Sequence, residues 1–137
     1  MIVNKPEIVT QKRIINMFKN PKILGYEYLG DWKDREDNSN IEKELLEKFL
    51  KDQYDSVQIK KTISELERIA TDQNKKLYNI NKEMYSLLRY GVKIKKDVGD
   101  DSETVWLINW REPLKNNFYI AEEVTIKGQH TKRPDIV

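Results

Sequence analysis

Apolar residues along the chain recur first with helical spacing and then with strand spacing. In "VTQKRIINMFKN" (9–20), Thr10 is placed to cap a short helix with Ile14, Ile15, Met17 and Phe18 inward, and Asn20-Pro21 ends it. "ILGYEYLGDW" (23–32) is mixed, with Gly25 and Gly30 as punctuation, and the polar stretch to Asn40 is a loop. "SNIEKELLEKFL" (39–50) opens a second helix. Ser39 and Glu42 match a capping box, and Ile41, Leu45 and Phe49 recur every four residues. A third helix over 56–70 puts Ile59, Ile63, Leu66 and Ala70 on one face. A fourth over 74–90 puts Leu77, Ile80, Met84, Leu87 and Leu88 inward, with Gly91 at its end.

The rhythm changes after Gly91. "VKIKKDV" alternates, "GDDSE" turns, and "TVWLINW" is a β-branched and aromatic run that reads as a buried strand with Trp106 and Trp110 in the core. "FYIAEEVTIK" alternates Phe118 and Ile120, then Val124 and Ile126. "GQHTKRP" turns again, and Asp135 opens another strand. The chain therefore reads as α+β: 1–91 mainly helical, 92–137 strands in an antiparallel meander, with the helices packed on a largely antiparallel or mixed sheet.

Composition narrows the classes. With 137 residues, 38% hydrophobic and 35% charged, the chain is one domain's worth and too apolar for disorder. A net charge of +2 gives no global field toward nucleic acid. There is no cysteine, which excludes a disulfide scaffold and any Cys-based zinc site or nucleophile. No apolar run approaches a membrane span, and the N-terminus lacks a signal-peptide core, so a soluble cytoplasmic protein is expected.

Three features carry candidate chemistry. Asp135 follows a turn at a strand start, where a hard carboxylate oxygen is open to Mg²⁺; the same placement suits an aspartate that caps a turn. Glu42 reads either as the capping-box acid or as a carboxylate aimed from a helix start at a metal. Lys127, His130, Lys132 and Arg133 form a basic turn without an acid, suited to phosphates beside Asp135 or simply to solvent. His130 is the sole histidine, and neither GxxxxGK[ST] nor GxGxxG occurs, so these residues offer no nucleotide cradle. Among the aromatics, Trp32 in its polar loop is the best exposed candidate for stacking on a base.

The segments "VTQKRIINMF", "LGYEYLGDWKDREDNSNIEKELL", "NKEMYSLLRYGVKIK", "TVWLINW" and "AEEVTIKGQHTKRPDIV", in this order, resemble the N-terminal part of the restriction (R) subunit of type I restriction–modification enzymes. The resemblance covers nearly all of the chain. It implies the front part of a restriction-endonuclease-like PD-(D/E)XK nuclease domain, spanning 1–137 and incomplete at its C-terminus. Pro134-Asp135 matches the first half of the signature; "IEK" at Ile41 to Lys43 lies upstream and is no substitute for the Glu-X-Lys half. By position Glu42 looks like the further glutamate that such nucleases carry on the helix before the sheet. The implied parent is a Mg²⁺-dependent type I site-specific deoxyribonuclease acting on double-stranded DNA. ATP would serve only downstream motor domains, and methylation and specificity subunits would be its partners. The 137-residue chain alone is expected to be inactive, and the strand begun by Ile136 and Val137 to lack its neighbour. Two other readings stand beside it: a non-enzymatic module that docks a subunit or DNA, and a nuclease completed by a second chain.

Overall fold

The computed structural model describes residues 5–128 and 130–137, the side chain of Lys5 excepted. Along the described residues run α1 (Lys5–Lys19), β1 (Glu27–Asp31), α2 (Lys43–Leu50), α3 (Ser56–Ala70), α4 (Leu77–Tyr90), β2 (Val92–Ile94), β3 (Glu103–Val105), a 3-10 turn (Pro113–Lys115) and β4 (Tyr119–Glu122). The chain divides into two compact units. One comprises the residues up to Asn40 together with Phe118–Val137; the other is the continuous stretch Ile41–Asn117.

In the continuous unit the helices follow the sequence pattern closely. Asp55 accepts a hydrogen bond from the Gln58 amide, and the Gln58 side chain accepts one from Asp55 N–H, so α3 starts with a closed capping box. Ile63 and Leu66 are buried, joined by Thr62 and Ile69. α4 ends at Gly91, whose φ of +82° only glycine takes without strain. A Cβ there would stand 2.5 Å from Thr104 Cγ2 and 3.2 Å from the Val105 carbonyl. Val92 and Ile94 then face inward and pair antiparallel with Val105 and Glu103. Leu50, Leu66, Val92, Ile94, Val105 and Leu107 form the core, with Met84 and Leu87 packed on it.

Several expectations fail here for local reasons. α2 begins at Lys43 with Glu42 as its N-cap residue, so Ser39 does not start the helix and the proposed box is out of register. Leu77 and Leu88 are exposed, because α4 packs only a half-buried stripe through Met84 and Leu87 against the core. "TVWLINW" is a strand only to Val105, since β2 offers just three residues to pair with. Trp106 and Trp110 are 44% and 47% exposed rather than core. Beyond them the chain turns, held by Asn116, whose side-chain amide donates to the Asn109 and Pro113 carbonyls while its Oδ1 accepts from Asn109 N–H.

The discontinuous unit holds the other sheet. β1, a mixed segment in the sequence, pairs parallel with β4, and the register slips between Tyr28 and Gly30, leaving Leu29 without a partner. The strands after Gly91 are thus no meander: β3 returns to β2 and β4 to β1. α1 starts at Lys5 and Thr10 lies inside it, its hydroxyl donating to the Pro6 carbonyl. Ile15 is buried and Met17 exposed. Phe18, Tyr26 and Phe118 stack beside the sheet, with ring centroids 5.0 and 5.2 Å apart.

Candidate functional site

Asp135 sits in a segment that returns antiparallel along β4. Val137 and Ala121 exchange both main-chain hydrogen bonds, Glu123 N–H donates to the Asp135 carbonyl at 2.9 Å, and Val124 N–H donates to the Pro134 carbonyl at 3.1 Å. The expected unpaired strand therefore has a neighbour: β4 itself, since its outer edge is free to accept the returning chain. Pro134 costs this ladder nothing, because it contributes a carbonyl there rather than an N–H.

The Asp135 side chain is exposed and lines a cleft of about 370 Å³ with Glu7, Thr10, Gln11 and Ile14 of α1. The apolar pattern places the start of α1 at Thr10, which leaves Glu7 outside it; in the structure Glu7 lies in the first turn of the helix. Glu42 is half-buried at the start of α2, in the continuous unit. Among the described residues, no group of three or more His, Cys, Asp or Glu is placed to hold a metal. These residues do not by themselves make a Mg²⁺ site, and no catalytic step follows from them alone.

The basic turn is a hairpin tip closed by the mutual hydrogen bonds of Ile126 and Lys132, at 2.7 and 2.9 Å. Lys127, His130, Lys132 and Arg133 are exposed; Gln129 lies outside the described residues. Arg133 pairs with Glu123 at 3.0 Å, so the turn is less cationic than its own sequence implied. Trp32 is half-buried, with the Arg35 guanidinium 3.7 Å over its ring.

Next to Ile136 on β4 lies a group that sequence reading missed. Glu122 is 1% exposed, a carboxylate inside a strand. Lys12 Nζ donates to its Oε1 at 2.6 Å, Tyr28 hydroxyl to the same oxygen at 2.5 Å, and Gln11 Nε2 to Oε2 at 2.9 Å. Burial alone would raise the Glu122 pKa, but these three donors outweigh it and hold the carboxyl below its usual range. The Tyr28 hydroxyl is pushed up to about 12, chiefly because ionising it would break its hydrogen bond to Glu122. α1, β1 and β4 are thus pinned at one carboxylate. Nothing in "AEEV" announces it, because all three donors lie in the first 28 residues.

The family model for the type I restriction enzyme R protein N terminus matches residues 5–137. No curated protein and no solved structure matches the chain.

Proposed function

The chain belongs to the family of type I restriction enzyme R protein N termini, and on that premise we propose that it forms the front part of the nuclease domain of a DNA-cleaving subunit. The family match across nearly the whole chain carries this reading. The pairing of the Pro134-Asp135 segment with β4 supports it, because a strand beside Asp135 is where the signature needs its sheet.

In this reading Asp135 is one ligand of a Mg²⁺ site whose other half, a Glu-X-Lys strand, is not found after Asp135 within the 137 residues. Glu7 joins Glu42 as a candidate for the helix carboxylate, since Glu7 lines the same cleft as Asp135. The substrate is double-stranded DNA, and Lys127, His130, Lys132 and Arg133 are candidate phosphate contacts. ATP-driven motor domains and the methylation and specificity subunits belong to the complete assembly. Among the described residues, no helix is long and apolar enough to cross a membrane.

Two cleavage assays on supercoiled plasmid with Mg²⁺ test the reading. The 137-residue chain alone is expected to leave the plasmid intact. A subunit that contains this sequence and its Glu-X-Lys strand, assembled with its partners, is expected to cleave and to lose about 100-fold or more in rate on Asp135→Ala. Glu7→Ala and Glu42→Ala in the same assembly identify which helix carboxylate matters. Metal-dependent nicking by the short chain, abolished by Asp135→Ala, would refute its inactivity. Full cleavage by the Asp135→Ala assembly would refute the site.

A further inference from the structure

α3 and β2 together present a cationic groove that the sequence does not reveal as one feature. Lys60, Lys61 and Arg68 lie on one side of α3 at helical spacing, while Lys93 and Lys95 alternate with the buried Val92 and Ile94. The five cations line one groove of about 510 Å³, and Glu65 is the single carboxylate among its lining residues. Glu65 is already engaged, by Arg68 at 2.6 Å.

The remaining four charges have no acidic partner among the described residues. Lys61 donates to the carbonyls of Lys95 and Lys96, and Lys93 donates to the Thr104 hydroxyl. Those contacts aim the ammonium groups without neutralising them. Of the nearby acids, Asp55 pairs with Lys96 at 2.6 Å; Glu103 accepts from the Gln58 side-chain amide at 2.6 Å and keeps its charge, and Glu44 and Glu47 line a neighbouring cleft with Lys60. The turn after β2 carries Asp97, Asp100 and Asp101, so the unit has a cationic face rather than a uniform positive field. Four exposed like charges around one groove raise the local positive potential, which favours an anionic partner there.

We propose that this groove docks the phosphate backbone of duplex DNA. The proposal rests on the reading of the chain as part of a DNA-cleaving subunit, and it assigns a backbone-holding surface to the continuous unit Ile41–Asn117. Duplex DNA carries a charge about every 1.7 Å of axis, so a stretch of backbone lying in the groove presents more than enough phosphates for Lys60, Lys61, Lys93 and Lys95. Contacts of this kind hold the duplex without reading its bases.

The test is fluorescence anisotropy of a labelled duplex of about 30 base pairs with the 137-residue chain, without divalent cation. Cleavage cannot enter, so this result stands apart from that of the nuclease assays. Binding is expected to be independent of base sequence and to weaken about 150-fold between roughly 50 and 200 mM salt, for about four phosphates neutralised. Lys60→Ala with Lys95→Ala is expected to lower affinity by roughly tenfold or more and to reduce the salt slope by about two, with an unchanged melting temperature. Lys127→Ala with Lys132→Ala, at the hairpin tip, serves as the comparator. The proposal is overturned by no duplex binding at low salt, by an unchanged slope in the groove variant, or by loss of the whole slope in the hairpin variant. Tighter binding to RNA or to vesicles of anionic lipid than to the duplex overturns it as well.

Discussion

The Tyr28 hydroxyl donates to the buried Glu122 carboxylate at 2.5 Å, tying β1 to β4 through side chains as well as through the backbone. Lys12 and Gln11 bring α1 to the same group. Replacing Glu122 with alanine leaves the Tyr28 hydroxyl without its acceptor and Gln11 with only Glu123 at 3.2 Å, and is expected to cost about 2–4 kcal/mol, at the lower side of buried-pair values because Lys12 is itself half in water. Tyr28→Phe removes one charge-assisted bond and costs about 1–2 kcal/mol. Urea unfolding measures both. Equal stability of Glu122→Ala and wild type would show that the cluster does not hold the unit together.

The same pair sets two pH limits. Glu122 has a depressed pKa in the fold, so its contribution is present above the ordinary carboxylate value and is lost as pH falls through the folded value. Tyr28 has a raised pKa, so its contribution is present below the ordinary phenol value of about 10 and is lost as pH rises toward about 12. Urea midpoints followed across pH are expected to decline at both ends. Tyr28→Phe removes most of the alkaline decline. If the variant declines as wild type does, Tyr28 is not the group responsible.

Gly91→Ala is expected to destabilise the continuous unit by about 1–3 kcal/mol, from the positive φ and from the collision with Thr104 and the Val105 carbonyl. Thermal melts of Gly91→Ala and of a control such as Ser86→Ala, on the exposed side of α4, separate this from a general effect of alanine on the helix.

Thr62 gives a prediction of opposite sign. Its hydroxyl is fully buried in α3 with no hydrogen-bond partner among the described residues. Thr62→Val keeps the shape, removes the orphan group, and is expected to stabilise by about 1 kcal/mol. A destabilised Thr62→Val would mean that the hydroxyl is satisfied in solution.

These cases also mark where the sequence could be read. α3 and the Gly91 stop were legible because their signals are local, an apolar stripe and a turn residue; the Asp55–Gln58 box at the start of α3 is as local and went unread. β1 was not, because "EYLGD" has neither alternation nor length, and it becomes a strand only by pairing with β4 some ninety residues on. Trp106 and Trp110 misled because aromatic content signals a strand only where a partner is long enough to pair with it. At the candidate site, Pro134-Asp135 was visible as a motif and its basic turn as a charge run. Glu7, Glu122 and the lysines of α3 and β2 were not, since their neighbours are brought to them by the fold.

The discontinuity of one unit has a consequence for how the protein is made. On the ribosome, Ile41–Asn117 emerges as one run and has its core residues in hand. β1 has by then been exposed with an open edge, waiting for β4. At about 5–20 residues per second, the ninety or so intervening residues take roughly 4–18 s. The shortness of β1 and the acids at its two ends, Glu27 and Asp31, disfavour pairing of that waiting edge with a neighbouring nascent chain. The segment bearing Asp135 is positioned only afterwards, when the returning chain finds β4.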